Sequence, residues 1–429
     1  MSTAHSSLLL RGVGTLVTCD PTLGEGPLGL VRDAAVLCRG ERIVYAGPQA
    51  GLPTVEGAEP LTLDLDGHMV MPGLVDCHTH LVFAGDRLDD FQARLEGDSY
   101  AAIASRGGGI LSTVRATRAA SDELLVDLCE GRAERLVAHG VTTVEVKSGY
   151  GLDPRQELRL LEVIRTASQR CIAELVPTFL GAHTLPVEAR RSDEARRAYV
   201  DSVVDDMLPA VADRGLARFC DVFVEEGAFT LEEGRRVLMA ARELGLGLKV
   251  HADQMTQTGA AGLAAELGAV SAEHLEYASD EDLQAMARAG TVAVLLPGAA
   301  FFLRDQPPAA ARFRAAGVRM AIATDFNPGS SPSAHLPLMA QLAVLQGGVT
   351  LDEAILGITA HAAQALDLHG DRGTVGAGMR ADLALFRARD PRELLYEIGA
   401  NHCTGVVKSG RYHRVDAART SRIRVGARG

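Results

Sequence analysis

Histidine and aspartate side chains recur in this sequence at positions that could share one metal ion. His78 and His80 lie two residues apart in PGLVDCHTH, and alternate side chains of a β-strand point to the same face. His251 ends the run LKVH, and Asp325 follows the run MAIAT. Three imidazole nitrogens and one carboxylate oxygen are ligands that zinc and iron accept, with a further position open for water. The four residues therefore predict a site for one divalent metal ion, Zn2+ or Fe2+/Fe3+.

A further histidine, His274, ends the run SAEH and is expected beside the same metal site. We expect it to donate a hydrogen bond to the reacting group or to act there as an electrophile. Read singly, His251 or His274 could be an ordinary core histidine, and Asp325 could cap a helix. The shared position of these residues at the ends of predicted strands favours the site over the separate explanations.

Apolar segments that alternate with helical stretches predict the framework that carries these side chains. Such alternation is typical of parallel βαβ units, and eight units favour a closed (β/α)8 barrel of the α/β class. An open doubly wound sheet has the same local pattern and is the alternative. Barrel active sites lie at the carboxyl ends of the strands, where these histidines fall. The predicted strands are Gly73–His80, Val141–Tyr150, Ile172–His183, Phe219–Glu226, Gly247–Gln254, Gly268–Glu276, Thr291–Pro297 and Arg319–Asn327.

Short β segments at both ends of the chain predict a second, smaller domain. They are rich in valine and leucine and are separated by glycine and proline, and we expect them to pair in one sheet. The predicted division is a discontinuous β domain over residues 1–70 and 372–429, beside a barrel over residues 71–371. The terminal segments are Leu8–Cys19, Ala34–Ala46, Leu61–Val70, Ala381–Phe386 and Thr404–His413.

Charge and composition limit the partners of the chain. Its net charge is −12, from 43 basic and 55 acidic side chains, which disfavours nucleic acid and anionic membranes as partners. Aromatic residues make up 4%, with no tryptophan, so platforms for stacking bases are scarce. Seven cysteines without a CxxC pair predict a reduced, cytoplasmic protein. The first residues lack a signal-peptide pattern, and the longest apolar run, 291–303, is too short to cross a bilayer.

Five stretches of the chain resemble a known group of enzymes, namely HTHLVFAGDR (78–87), VEVKSGYGLD (144–153), FLGAHTLP (179–186), KVHADQ (249–254) and ATDFNPGSS (323–331). They are similar to the mononuclear branch of the amidohydrolase superfamily and, within it, to the imidazolonepropionase family. The resemblance runs over nearly the whole chain and implies a distorted (β/α)8 barrel with a small β-sandwich built from both termini. The implied reaction hydrolyses the ring carbonyl–nitrogen bond of 4-imidazolone-5-propanoate to N-formimidoyl-L-glutamate, in histidine degradation.

Carried over position by position, the resemblance implies roles for particular residues. Asp325 and His274 are the implied catalytic residues, and Asp325 is expected to shuttle protons, alone or together with His274. The family also implies a small anionic substrate and a homodimer. The implied metal ligands are His78, His80, His251 and Asp325. The implied substrate contacts are Arg87, Tyr150, His183, Gln254, Asn327, Gly329 and Ser330.

Several features distinguish the implied hydrolase function from alternative functions. Related deaminases keep a proton-shuttling glutamate where this chain has Gln254, and an amide cannot titrate. Arg87 could clamp the propanoate with a bidentate guanidinium, although arginines also form ordinary surface ion pairs. A second metal is not expected, because predicted strand four, FCDVFVEEG, lacks the lysine of related binuclear sites, although Glu225 or Glu226 could stand in for it. The alternatives are another mononuclear cyclic-amide hydrolase or deaminase, or a non-catalytic barrel.

Overall fold

Two sheets organise the computed structural model, which describes residues 7–54, 58–98, 102–103 and 106–415. The outer ends of the predicted terminal domain, residues 1–6 and 416–429, lie outside the described residues. The strands are β1 (Ser7–Val17), β2 (Leu30–Arg39), β3 (Arg42–Pro48), β4 (Leu61–Asp64), β5 (Met69–Pro72), β6 (Leu74–Asp76), β7 (Val141–Lys147), β8 (Glu174–Ala182), β9 (Phe219–Val224), β10 (Gly247–Ala252), β11 (Ser271–His274), β12 (Val292–Leu295), β13 (Met320–Ile322), β14 (Leu383–Phe386), β15 (Cys403–Lys408) and β16 (Arg411–Arg414).

The barrel consists of β6 to β13, which lie side by side in chain order and pair in parallel. An isolated bridge between Thr79 and Phe326 joins its first and last strands. Beside that bridge, the N–H of His80 donates a hydrogen bond to the carbonyl of Phe326 at 3.0 Å. The N–H of Asp325 donates a second one to the carbonyl of His78, also at 3.0 Å. The predicted closed barrel is thereby confirmed over the open doubly wound sheet.

Several barrel strands end earlier than the sequence predicts. β6 and β13 have only three residues each, where Gly73–His80 and Arg319–Asn327 are predicted. The chain turns away from the ladder at residues in the left-handed region, namely Asp253 (φ 50°), His274 (φ 73°) and Asp325 (φ 51°). This conformation is costly for a residue with a side chain, and such residues cluster at turns and at functional sites. The predicted site residues consequently lie at, or just beyond, the true strand ends.

Helices alternate with the barrel strands, and two of them begin at capping boxes. The boxes are formed by Thr230 with Glu233 and by Thr350 with Glu353. In each box the threonine hydroxyl accepts a hydrogen bond from the glutamate N–H, and the glutamate carboxylate accepts one from the threonine N–H. No helix among the described residues is long and apolar enough to span a bilayer. The helices are α1 (Leu88–Leu95), α2 (Ile110–Ala119), α3 (Asp122–Val137), α4 (Pro154–Ser168), α5 (Asp193–Asp201), α6 (Leu208–Asp213), α7 (Leu231–Glu243), α8 (Ala260–Leu267), α9 (Asp280–Ala289), α10 (Pro297–Leu303), α11 (Ala310–Ala316), α12 (Leu336–Gly347), α13 (Leu351–Gly357), α14 (Ala360–Gln364) and α15 (Glu393–Tyr396).

The second sheet is built from both ends of the chain, as the sequence predicts. Its order is β16-β15-β14-β5-β1-β2-β3, and β4 also pairs with β1. The antiparallel pair of β14 with β5 joins the two ends. Side chains such as Leu10, Val36, Leu383 and Val407 form a core separate from that of the barrel. The exact boundaries of this domain near residues 70 and 372 stay predictions.

Two predicted terminal strands are wrong in detail, because each contains a turn. Ala34–Ala46 covers the hairpin of β2 and β3, which reverses at Gly40 with φ 53°. Leu61–Val70 splits into β4 and β5 around Asp66 and Gly67, with φ values of 50° and 78°. Short reversals of this kind leave the average hydrophobic pattern unchanged, so the segments look continuous in the sequence.

Candidate active site

The predicted metal ligands meet at one end of the barrel. Asp325 Oδ1 lies 3.5 Å from Nε2 of both His78 and His80, and the ring centroids of His78 and His251 are 4.5 Å apart. Two ligand atoms bound tetrahedrally to one ion at about 2.1 Å lie about 3.4 Å from each other. The spacing of Asp325 from the two histidines therefore suits a shared metal ion.

Unpaired imidazole nitrogens at this end also suit a metal. Within the described part of the chain, both ring nitrogens of His78, Nδ1 of His80 and Nε2 of His251 are buried without a hydrogen-bond partner. Burial lowers the pKa of His78 and His80, and neighbouring cationic groups lower it further. Buried polar atoms are normally paired, and a metal is bound by the neutral imidazole. The donor set consequently fits one metal ion.

The turn after β13 holds Asp325 in place. Ser330 Oγ donates to Asp325 Oδ2 at 3.2 Å, on the oxygen that does not face the histidines. Asn327 Nδ2 donates hydrogen bonds to Ser330 Oγ (2.8 Å) and to the carbonyl of Asp325 (2.7 Å). Its Oδ1 accepts hydrogen bonds from the N–H groups of Gly329 and Ser330. Burial raises the pKa of Asp325, against the lowering effect of His274 and His251. Asn327 and Ser330, predicted as substrate contacts, thus also position the carboxylate.

Arg87 faces this same turn. Its Nε pairs with Asp90 of α1, and Asp90 also accepts from the N–H of Gly109 at 2.9 Å. A Cβ built on Gly329 would lie 3.5 Å from Arg87 Nη1, so the guanidinium borders the glycine directly. The ion pair that the sequence raised as an alternative therefore exists, but it is mostly buried and engages Nε. Nη1 faces the turn that holds Asp325.

Tyr150 and His183 complete one side of the ring cluster. His183 stacks on His80 at a centroid distance of 5.0 Å, and Tyr150 meets His183 edge-on at 5.4 Å. His183 Nδ1 lies 2.9 Å from the carbonyl oxygen of Gly149. Burial lowers the pKa of His183 to about 3, so its imidazole is neutral at physiological pH.

His274 and Gln254 are the remaining predicted site residues. The His274 ring is 5.6 Å from His251 and 6.0 Å from His78 between centroids. Burial opposes its charged form, but Glu276, with Nδ1–Oε1 at 3.7 Å, and other nearby carboxylates raise its pKa. Gln254 is half-buried in the loop after β10. Its predicted substrate contact stays a prediction.

A buried layer of charges beneath the cluster was missed in the sequence. Lys147 Nζ lies 2.7 Å from Glu145 and 2.8 Å from Asp221, and Asp221 Oδ2 lies 3.0 Å from His251 Nδ1. Alongside, Lys249 pairs with Glu273 at 3.1 Å. All five side chains are fully or almost fully buried. Asp221 therefore orients the imidazole of His251 so that Nε2 remains for a metal, as second ligand shells commonly do.

Two sequence signals could have revealed this layer. The chain has three lysines, and Lys147 and Lys249 fall in otherwise apolar strands, where an unpaired charge is too costly to bury. Glu145 and Lys147, like Lys249 and His251, lie two residues apart and so share a face. Their partners, however, lie on other strands, and only the barrel register selects them.

Removing Lys147 is expected to destabilise the protein severely. Lys147→Met leaves Glu145 and Asp221 buried without their cation, which costs about 3–5 kcal/mol for a broken buried pair. Burial would lower the pKa of Lys147, but Asp221 and Glu145 outweigh it and raise the pKa. The measurement is the melting temperature by calorimetry. Arg218→Met, which removes an exposed pair with Asp367, is the control and should change it little; equal melting of both variants would contradict the assignment.

Comparison with known proteins places the chain in a class and then in a family within it. The model of the amidohydrolase family matches residues 101–412, so the chain belongs to the amidohydrolases. Imidazolonepropionase from Acidiphilium cryptum is 50% identical over 385 residues, 90% of this chain and 94% of that protein. The one from Symbiobacterium thermophilum is 47% identical over 416 residues, 94% and 96% of the two chains. The chain is accordingly a member of the imidazolonepropionase family.

Solved structures agree on the fold. An adenosine deaminase from Xanthomonas campestris, solved with bound zinc, is 18% identical with a TM-score of 0.72, covering 95% of this chain and 93% of its own. N-isopropylammelide isopropylaminohydrolase from Burkholderia multivorans is 21% identical with a TM-score of 0.68, covering 95% and 98%. At such low identity the likeness shows the barrel and its companion sheet, and says nothing of the substrate.

Proposed function

We propose that this protein hydrolyses the ring carbonyl–nitrogen bond of 4-imidazolone-5-propanoate and releases N-formimidoyl-L-glutamate. Family membership supports a hydrolase that acts on a cyclic amide. The observation that carries the proposal is one turn, Asn327–Ser331, which faces the guanidinium of Arg87 and also holds the carboxylate of Asp325. One end of the substrate is an anion and the other a reactive ring, so a cationic anchor beside a proton acceptor matches its shape.

We propose that one divalent ion, zinc or iron, is held by His78, His80, His251 and Asp325. The 3.5 Å spacing of Asp325 from two histidines and the unpaired imidazole nitrogens support this set. When bound, such an ion acidifies a water molecule and polarises a carbonyl. Lys147 and Lys249 already pair with the three carboxylates beneath the cluster, which supports one metal ion and not two.

The side chains of the protein then have distinct tasks. The terminal nitrogens of Arg87 bind the propanoate, and Tyr150 and His183 contact the ring. His274 donates a hydrogen bond to the carbonyl oxygen as negative charge develops there. Asp325 accepts the proton of the attacking water and delivers it to the leaving nitrogen. Water thus adds its hydroxyl to the carbonyl carbon and its proton to the nitrogen, and the ring opens.

The deciding experiment is turnover of freshly generated 4-imidazolone-5-propanoate. We expect rapid loss of its ultraviolet absorbance, with N-formimidoyl-L-glutamate identified by mass spectrometry. Chelator treatment should lower the rate on the order of 10³-fold or more, because the metal supplies several kcal/mol of transition-state stabilisation, and Zn2+ or Fe2+ should restore it. No turnover by metal-loaded protein would contradict the proposal, and other cyclic amides would then be tested as substrates.

Other expectations from the sequence accompany this proposal. We propose a reducing, cytoplasmic location, which the seven unpaired cysteines support. The homodimer and the lack of nucleic-acid or membrane partners stay predictions from charge and family. Sedimentation velocity of the purified protein tests the dimer directly.

A further inference from the structure

The loop between β7 and α4 is built around a single buried carboxylate. Glu157 of α4 is fully buried. Its Oε2 accepts a hydrogen bond from the N–H of Gly149 at 2.9 Å. Its Oε1 accepts two, from the N–H groups of Gly151 (2.7 Å) and Leu152 (2.8 Å). One side chain therefore accepts hydrogen bonds from three backbone N–H groups of the segment that carries Tyr150.

This loop is held in a conformation that it would not adopt alone. Gly149 has φ 103° and Leu152 has φ 55°, both in the left-handed region, which is costly for leucine. A Cβ on Gly149 would lie 2.8 Å from His183 Nδ1, so only glycine lets the backbone approach that ring. Burial raises the pKa of Glu157, and the hydrogen bonds from the loop lower it. Three hydrogen bonds to this one carboxyl group offset the cost of the conformation.

The carbonyl of Gly149 in turn determines the tautomer of His183. A carbonyl oxygen can only accept, so the 2.9 Å contact requires the hydrogen on Nδ1 of His183. In the neutral ring, Nε2 then carries a lone pair and can only accept. The ring stacks on His80 and meets Tyr150 edge-on, so it borders the candidate metal site.

We propose that Glu157 is a positioning residue for substrate recognition. It holds the Gly149 carbonyl against His183, so that His183 keeps its hydrogen on Nδ1 and presents Nε2 to an N–H of the substrate ring. This inference rests on the proposed function and adds a selection rule to it. A cyclic amide with a ring N–H is accepted, whereas one alkylated at that nitrogen loses its partner.

The test compares two glutamate-to-glutamine variants of the same helix. In Glu157→Gln one acceptor oxygen becomes NH2, so at least one loop N–H faces another donor. Glu162→Gln is the matched control, since Glu162 lies on α4 and pairs with Arg214 at the surface. We expect Glu157→Gln to raise KM about tenfold to 100-fold, the scale of a lost charged hydrogen bond. Its bound metal and kcat should change far less, and the control should match the wild type.

Nitrogen-15 spectra of histidine-labelled holoenzyme supply the second readout. The wild type should show His183 with a pyrrole-like Nδ1, assigned by its absence in His183→Asn, and Glu157→Gln should lose that signature. A purely structural role would leave the tautomer unchanged. The proposal is overturned if the KM of Glu157→Gln stays within twofold of wild type, or if KM rises while the tautomer does not change.

Two further outcomes distinguish a failure of the Glu157 proposal from an unfolded variant and from a failure of the proposed function. If Glu157→Gln does not fold, the wild-type spectrum still decides, because a hydrogen on Nε2 of His183 overturns the proposal. If the wild type does not turn over 4-imidazolone-5-propanoate, the proposed function fails, whereas the tautomer comparison still tests the link from Glu157 to His183.

Discussion

Asp325→Asn is expected to lower kcat on the order of 10³-fold, the range that general acid–base groups contribute. The asparagine side chain has nearly the shape of the aspartate and keeps one oxygen toward His78 and His80, but it cannot accept a proton. The carboxylate is buried, and Ser330 holds its second oxygen, so no bulk water replaces it as the acceptor. Steady-state rates, measured together with metal content, separate the loss of the proton acceptor from the loss of a ligand.

Ser330→Ala is the matched comparison for this variant. It removes the 3.2 Å hydrogen bond to Asp325 Oδ2 and the 2.8 Å hydrogen bond that Ser330 Oγ accepts from Asn327 Nδ2. It leaves the carboxylate in place and should lower kcat about tenfold, equivalent to about 1.4 kcal/mol. The proton-shuttle role would be wrong if Asp325→Asn, with its metal retained, kept kcat within tenfold of the wild type. His274 would then be the remaining candidate for the shuttle.

Arg87→Ala is expected to raise KM about 100-fold while kcat changes much less. The substrate carboxylate would lose a bidentate partner in a site that is mostly closed to water, and breaking such a buried charged pair costs about 2–5 kcal/mol. Arg87→Lys should recover only part of the loss, because a lysine keeps the charge but not the planar fork. Initial rates over a wide range of substrate concentration give both constants.

Arg94→Ala is the control for charge, since Arg94 lies on helix α1, which begins directly after Arg87, and stacks on Phe302. Its KM should stay close to that of the wild type. An unchanged KM in Arg87→Ala would show that the carboxylate binds elsewhere. An equal increase in both variants would point to a general field effect instead of a direct clamp, and raising the salt concentration would then reduce it.

The sequence by itself determined the class of fold and the types of residue at the site. Alternation of strands and helices predicts the barrel, and the spacing of His78 and His80 places two imidazoles on one face. Both signals are local, because a strand or helix records its own burial pattern in its own residues. The terminal β segments could be recognised for the same reason, although their turns could not.

Only the tertiary structure decided which side chains meet. Asp221 and Glu157 lie on different elements from the histidines that they orient, and Lys147 lies on a different strand from Asp221, so no local spacing connects these partners. The amide of Asn327 is used within the turn that holds Asp325, a role that the sequence did not indicate, and its predicted substrate contact stays a prediction. Such pairings depend on strand register and barrel closure, where a shift of one residue turns every side chain to the other face. Hydrophobic periodicity indicates on which face of its strand or helix a residue lies. The residue that it contacts on another element is determined by the packing of the whole barrel.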